Sequence, residues 1–241
     1  RATSDEAHVT RGRANTLRLA ISGQLGPDAL SSDEVAESMS LCVGCKACKR
    51  ECPTGVDMAR MKIEVNALRA KTHKPGLRDR IIGFLPRYAY YARFTSWALP
   101  ILDRIPGIPW LREKAIGISR HRRLPRFLSD SALLGEQVFG PAQGKAVLLL
   151  VDTFTYWFEP DNAKDAIEVL IAHGYQVHLP KSDPGRPLCC GRTFLSVGMI
   201  DQAREEATRL TQTLRPYLEK GIPVLGLEPS CLLTLRDEIP A

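Results

Sequence analysis

Apolar residues recur at helical spacing through the first part of the chain, in three segments separated by turn signals. The first predicted helix begins at Thr10, whose side chain suits an N-cap, and ends at Gly23. A Ser-x-x-Glu pattern at 31–34 predicts a second, short helix over 35–41. Asp57 is the predicted cap of a third helix. The cysteine run is therefore predicted to lie between the second and third helices.

Residues 81–128 are rich in apolar and aromatic side chains, but five prolines divide this stretch into short helices and turns. Six aromatic residues are predicted to belong mostly to the core: Tyr88, Tyr90, Tyr91, Phe94, Trp97 and Trp110. Because arginines stand beside them in the sequence, contact with a membrane surface is the alternative interpretation. The basic run at 120–123 is predicted to be a solvated face.

After a linker predicted at 131–144, the pattern changes to strands that alternate with helices. The continuous apolar run at 146–151 is typical of a buried parallel strand, and helical spacing follows it. Further strands are predicted at 176–179 and 223–227, with a long helix from about Phe194 to Leu218 between them. This order predicts an open α/β sheet.

The length of 241 residues and the change of pattern predict two domains, a helical one over 1–130 and an α/β one over 145–241. A hydrophobic content of 44% and a charged content of 25% exclude a disordered, fibrous or multi-span membrane chain. Neither a signal peptide nor a membrane-spanning run is present, so we expect a cytoplasmic protein. The first residue is not Met and the chain stops soon after a cysteine motif, so we expect a piece truncated at both ends.

Charge differs between the two halves, with a net +10 over residues 1–130 and −4 over 131–241. A basic surface of this kind suits an anionic lipid, an acidic partner or an anionic substrate. The chain contains no aromatic-basic recognition motif, so nucleic acid is not among the expected partners.

Four cysteines, Cys42, Cys45, Cys48 and Cys52, form a C-x2-C-x2-C-x3-C-P run. This spacing is typical of bacterial-type ferredoxins, in which a tight loop holds a 4Fe-4S cluster. A structural zinc site is disfavoured, because such sites usually pair two C-x2-C knuckles. Gly44 is expected to let the backbone curl around the cluster. Cys52 either completes this cluster or ligates a second one whose other ligands precede this chain.

Three further cysteines lie within the segment that has the α/β pattern: Cys189, Cys190 and Cys231. Because functional groups gather at the carboxyl ends of strands, we expect them to meet at one edge, with Asp152 beside them. The helix start after Gly191 is expected to lower the thiol pKa values. These cysteines are candidate ligands of a metal or a cluster; buried reduced thiols are the alternative.

Five motifs together resemble one family: HVTRGRAN at 8–15, the cysteine run with its continuation to 57, DTFT at 152–155, CCGR at 189–192 and EPSC at 228–231. The chain resembles the iron-sulfur portion of FAD-linked D-2-hydroxyacid dehydrogenases, of the D-lactate and D-2-hydroxyglutarate type. It is also similar to the glycolate oxidase iron-sulfur subunit and to heterodisulfide reductase subunits with cysteine-rich CCG domains.

The resemblance implies a helical ferredoxin-like iron-sulfur domain followed by an incomplete α/β CCG domain. FAD would lie on a missing upstream domain or subunit, and the 4Fe-4S cluster would pass its electrons to a quinone or a protein acceptor. The chain would be part of an oxidoreductase without catalytic residues of its own, and a peripheral contact with the inner face of the membrane is compatible with that role.

The sequence departs from the fuller CCG pattern at two places. Cys231 is followed by Thr234 where the pattern has a second cysteine, and Asp152 stands near the place of another. The alternative function is heterodisulfide-reductase-like thiol/disulfide catalysis at Cys189, Cys190 and Cys231.

Overall fold

A computed structural model describes residues 3–128, 133–183 and 185–240. The chain divides into two compact units, one of residues up to 83 with 194–200, and one of 84–193 with 201 onwards. The three helices that follow residue 84 thus group with the sheet. The sequence predicts a boundary between two independently folding domains near residue 130. That boundary remains a proposal.

The first unit is a helical bundle around a small apolar core. Its helices are α1 (Thr10–Ile21), α2 (Asp33–Ser40), α3 (Ala47–Glu51), α4 (Met58–Thr72) and α5 (Leu77–Gly83). Leu17 of α1, Val35 and Met39 of α2, and Met58 and Val65 of α4 are buried against one another. The core therefore joins the helices that flank the cysteine run.

Of the three predicted helix caps, Asp57 is confirmed, since its Oδ1 accepts a hydrogen bond from the Arg60 amide at 3.1 Å. The capping box predicted at 31–34 is shifted: Ser32 is the N-cap of α2 and accepts a hydrogen bond from the Val35 amide, and the helix begins at Asp33. The prediction for Thr10 is wrong: it lies inside α1, whose N-cap is Val9 without a side-chain hydrogen bond.

The second unit begins with α6 (Leu85–Thr95), α7 (Leu99–Leu102) and α8 (Ile108–Ile116), so the proline-rich stretch consists of short helices, as predicted. Its aromatic side chains are less buried than predicted. Tyr91, Phe94, Trp97 and Trp110 are 50 to 71% exposed. The helix α6 buries Pro86 and Ala89, with Tyr90 packed against the α/β core, while Tyr91 and Phe94 of the same helix are exposed.

The sheet has four strands in the order β1-β3-β2-β4. They are β1 (Gln137–Phe139), β2 (Lys145–Leu150), β3 (Tyr175–Leu179) and β4 (Val224–Gly226). The strand β2 is parallel to both β3 and β4, which confirms the open α/β arrangement, while β1 is antiparallel to β3. β1 lies inside the predicted linker, and its three residues are too few to give a pattern.

Five helices connect or follow the strands: α9 (Thr153–Phe158), α10 (Pro160–Ala172), α11 (Arg192–Ser196), α12 (Ile200–Glu219) and α13 (Pro229–Asp237). The long helix predicted from Phe194 is in fact two helices. Gly198, with φ +78°, separates them, and a Cβ there would overlap the carbonyl group of Asn66. None of the described helices is long and apolar enough to cross a lipid bilayer.

Candidate functional site

The four cysteines of the first run lie on a loop, a short helix and the turn after it. Cys42 follows α2, Cys45 lies in the loop and is exposed, Cys48 lies in α3, and Cys52 follows α3. All four are free thiols. The run therefore lies between α2 and α4, as predicted, with the short helix α3 inside it.

The loop curls because two of its residues have positive φ. Gly44 has φ +69°, as its predicted role requires, and Lys46 has φ +59° at the N-cap of α3. A left-handed residue reverses the local direction of the chain, which glycine does without steric cost. Cys42 and Cys48 also pack against the core of the first unit, so both ends of the loop are anchored.

Positive charges surround this loop. Lys62 Nζ donates a hydrogen bond to the Cys42 carbonyl oxygen at 2.7 Å and one to the Ser40 carbonyl oxygen at 3.3 Å. Lys46 and Lys49 place their Nζ atoms 3.9 and 3.5 Å from Asp57 Oδ2. These lysines suit an anionic group held by the loop, because they lower the energy of added negative charge.

The sulfur of Cys52 is surrounded by hydrogen-bond donors. It lies 3.1 Å from Thr54 Oγ1. The Thr54 hydroxyl, and then the backbone amides of Val56, Thr54 and Gly55, lower the pKa of the Cys52 thiol. Donors of this kind stabilise the thiolate, which is the form that binds iron. The donor set of this site therefore fits an iron-sulfur cluster.

No three His, Cys, Asp or Glu side chains among residues 3–128, 133–183 and 185–240 are arranged to hold a metal ion. A site for a single metal ion requires side chains whose ligand atoms converge on that ion. A four-iron cluster instead takes one thiolate on each iron, so its ligands surround a cube. Assignment of the cluster to these four cysteines remains a proposal.

The second group of cysteines lies at one edge of the sheet, where it was predicted. Cys189 and Cys190 follow Leu188, which forms a parallel bridge with Asp152 at the end of β2. Cys231 lies in α13, directly after β4. Cys190 and Cys231 belong to the same buried cluster, and all three cysteine residues are 3 or 4% exposed. The fold thus brings these cysteines together.

Gly191 holds the cysteine pair close to α12. Its φ is +83°, and a Cβ at this position would lie 2.6 Å from the Ala203 carbonyl oxygen. Its amide also donates a hydrogen bond to Cys189 Sγ at 3.4 Å. No residue other than glycine fits this turn without a shift of the backbone.

The carboxylate of Asp152 caps the helix α9. It accepts hydrogen bonds from the Phe154 amide at 2.8 Å, the Thr155 amide at 3.3 Å and the Thr155 hydroxyl at 2.6 Å. These bonds give the buried carboxylate a structural role at the edge of the sheet. The cysteines are the remaining candidate ligands there.

The expectation of lowered thiol pKa values after Gly191 is wrong. The contact of Cys189 with Cys190, followed by burial, raises the pKa of Cys189 well above its ordinary value. At Cys190 the contact with Cys189 lowers the pKa, but the contact with Cys231 and burial outweigh it and raise the pKa to about 12. Neither of these two thiols is ionised at neutral pH, so a metal that bound them would release their protons.

Sequence reasoning missed a buried carboxylate near this site. Glu206 on α12 has no exposed surface, and its oxygens lie 3.0 Å from Arg87 Nε, 2.6 Å from Arg186 Nη2 and 3.2 Å from Arg209 Nη2. Its charge also contributes to the raised pKa of Cys189. The sequence holds the signal, because Glu206 shares the buried face of α12 with the apolar positions Ala203, Leu210 and Leu214.

Curated proteins similar to this chain are dehydrogenases and an iron-sulfur subunit. The D-2-hydroxyglutarate dehydrogenase of Escherichia coli is 24% identical over 218 residues, which cover 86% of this chain and 21% of that protein. A subunit of the anaerobic glycerol-3-phosphate dehydrogenase of Escherichia coli is 26% identical over 182 residues, 73% of this chain and 45% of that protein. The probable glycolate oxidase iron-sulfur subunit of Bacillus subtilis is 32% identical over 77 residues, 32% of this chain and 16% of that protein.

These relatives confirm the resemblance stated from the motifs: the chain is similar to D-2-hydroxyglutarate dehydrogenases, to a subunit of an anaerobic glycerol-3-phosphate dehydrogenase and to a probable glycolate oxidase iron-sulfur subunit. It spans 21 to 27% of the length of the D-2-hydroxyglutarate dehydrogenases that it matches. No family model matches the chain. No solved structure matches it either.

Proposed function

We propose that this chain is an iron-sulfur electron-transfer module of a flavin-dependent 2-hydroxyacid dehydrogenase. The observation that carries the proposal is the loop of four free cysteines, with lysines around it and amide donors at Cys52. The similarity to dehydrogenases and to a protein named as an iron-sulfur subunit supports it.

Cys42, Cys45 and Cys48 would hold one 4Fe-4S cluster, and Cys52 would be its fourth ligand or a ligand of a second cluster shared with residues outside this chain. When bound, such a cluster takes up and releases single electrons. The chain's own contribution is to fix the loop and its charge. Lys62 ties the Cys42 carbonyl to α4, and the positive φ of Gly44 and Lys46 keeps the loop curled.

The electrons would come from FAD on an upstream domain or partner subunit, which would oxidise a 2-hydroxyacid such as D-2-hydroxyglutarate. A quinone or an electron-transfer protein would accept them, and the module would contact the inner face of the membrane peripherally. We assign no catalytic residue to this chain, because oxidation of the hydroxyacid would take place at the flavin.

Cys189, Cys190 and Cys231 are proposed as a second site, for a metal or cluster. Heterodisulfide-reductase-like exchange is less well supported there, since all three cysteine residues are only 3 or 4% exposed. A thiol that attacks an external disulfide must reach its sulfur, which burial prevents.

Reductive titration tests the electron-transfer function. The anaerobically reconstituted chain is expected to take up about one electron per bound cluster, with bleaching of the visible absorbance, and to return it to a soluble quinone analogue. An otherwise identical chain without iron serves as the control. A reconstituted chain that contains iron but accepts no electrons from dithionite would contradict the proposal.

A further inference from the structure

The second unit exposes an aromatic surface that the α/β core does not use. We use this name for six large apolar side chains of α6, α7, α8 and the short 3-10 helix Ser96–Ala98 that are 50 to 71% exposed: Tyr91, Phe94, Trp97, Ile101, Trp110 and Leu111. All six lie within 21 consecutive residues, in short helices that prolines interrupt. Apolar patches exposed together usually mark a place where something binds.

The same segment contains the positive charge of the chain. Residues 84–128 have nine Lys and Arg against two Asp and Glu, a net +7, whereas the rest of the chain carries −1. Both acidic residues are paired within the segment. Asp103 forms an ion pair with Arg112, and Glu113 lies 3.6 Å from Arg120.

Two further cations of the segment lie against its aromatic rings, and three more follow in the sequence. Lys114 Nζ lies 4.8 Å from the centre of the Trp110 ring, and the Arg93 guanidinium lies 4.6 Å from that of Phe94. Arg122, Arg123 and Arg126 are exposed and form no ion pair within the part of the chain that the structure describes. Aromatic rings with basic side chains around them match the interface of a bilayer, where rings reach the acyl boundary and cations meet anionic headgroups.

We propose that residues 91–126 dock this chain onto an anionic lipid bilayer. The aromatic surface would enter the headgroup region, and Arg122, Arg123 and Arg126 would meet the lipid phosphates. This proposal rests on the proposed electron-transfer function in one respect, since docking would bring the module to a quinone in the membrane. The helices would lie on the bilayer, in agreement with the lack of any described helix that could cross it.

Vesicle flotation of the whole reconstituted chain tests this docking. We expect binding to vesicles that contain phosphatidylglycerol, weaker binding to phosphatidylcholine alone, and a loss of binding as salt is raised. Tryptophan emission reports the contact directly. Trp97 and Trp110 are exposed while Trp157 is fully buried, so vesicles should shift the emission to the blue, and Trp97→Phe with Trp110→Phe should abolish the shift.

Two variant chains separate the apolar and ionic parts of the contact. Phe94→Ser with Trp97→Ser should weaken vesicle binding at least about tenfold, because it removes apolar area from the interface. Arg122→Gln, Arg123→Gln and Arg126→Gln together should weaken binding to the anionic vesicles by a similar factor. The matched controls are Val169→Ser with Leu218→Ser, and Arg204→Gln, Arg215→Gln and Lys220→Gln, at exposed positions of the same unit; they should bind as the unaltered chain does.

Failure of the chain to bind either kind of vesicle would overturn the docking and leave the surface to a protein partner. Equal weakening by the control variants would also overturn it. Iron content and the reduced-cluster spectrum are recorded on the same samples. Full cluster without vesicle binding refutes the docking alone. Vesicle binding without a cluster, both in this chain and in a longer chain that includes the upstream residues, refutes the electron-transfer function alone.

Discussion

A Cys45→Ser chain is expected to lose most of the iron and acid-labile sulfide that the unaltered chain binds after anaerobic reconstitution. A serine hydroxyl at neutral pH is protonated and is a poor ligand for iron, so only three thiolates of the run would remain. Cys45 is the exposed member of the run, and its replacement removes no buried contact. The loss should therefore occur in a folded chain, with unchanged circular dichroism.

The matched control is Cys231→Ser, outside the run. It is expected to keep the reduced-cluster EPR signal of the first site, whatever it does to metal at the sheet edge. If Cys45→Ser retained full iron and sulfide while Cys231→Ser lost them, the cluster would belong to the second group of cysteines, and the assignment to the loop would be wrong.

A Glu206→Gln chain is expected to unfold with a free energy about 3 kcal/mol lower than that of the unaltered chain. Glu206 is fully buried, and its carboxylate receives hydrogen bonds from Arg87, Arg186 and Arg209. A neutral amide removes the buried charge that the three guanidinium groups share, and leaves Arg87 and Arg209 with the exposed carboxylates of Glu205 and Asp183. Chemical denaturation followed by circular dichroism measures the difference.

Glu205→Gln is the control for Glu206→Gln. Glu205 accepts from Arg87 Nη2 at 2.6 Å but is 64% exposed on its side chain, so its loss should cost less than about 1 kcal/mol. An equal loss in the free energy of unfolding for the two variants would show that burial of Glu206 does not increase its contribution to stability.

The effect of Glu206 should also depend on pH. Burial alone would raise the pKa of Glu206, but hydrogen bonds from Arg186 and Arg87 outweigh it and hold the pKa below its ordinary value. A carboxylate with a lowered pKa stabilises the fold above the pKa it has in the unfolded chain, about 4.3, and this contribution is lost as pH falls through the folded value. The difference between Glu206→Gln and the unaltered chain should therefore shrink below about pH 4.3.

The sequence predicts most of what positions the cysteines, because local chemistry determines it. Asp57 has a side-chain oxygen that can accept a hydrogen bond from a helix N-terminus, and it stands directly before apolar residues at helical spacing. It caps α4 as expected. Parallel strands end at the same edge of a sheet, so residues that follow β2 and β4 meet whatever the details of packing. This rule brings Cys190 and Cys231 together.

What the sequence does not predict depends on contacts between distant segments. Trp97 is exposed in a stretch whose neighbouring helices α7 and α8 bury none of their residues, which composition does not reveal. The break at Gly198 follows from its approach to Asn66, far away in the chain. The raised pKa of Cys190 requires knowledge of burial and of Cys231 as a neighbour.

The central claim is that this chain holds a 4Fe-4S cluster in the loop of Cys42, Cys45, Cys48 and Cys52. Iron and acid-labile sulfide per chain, measured after anaerobic reconstitution together with the EPR spectrum of the dithionite-reduced sample, test it most directly. We predict about four irons and four sulfides per chain with a reduced-cluster signal, or about eight if the second site also holds a cluster. A folded chain that binds neither iron nor sulfide, both alone and within a longer chain that includes the upstream residues, would contradict the claim.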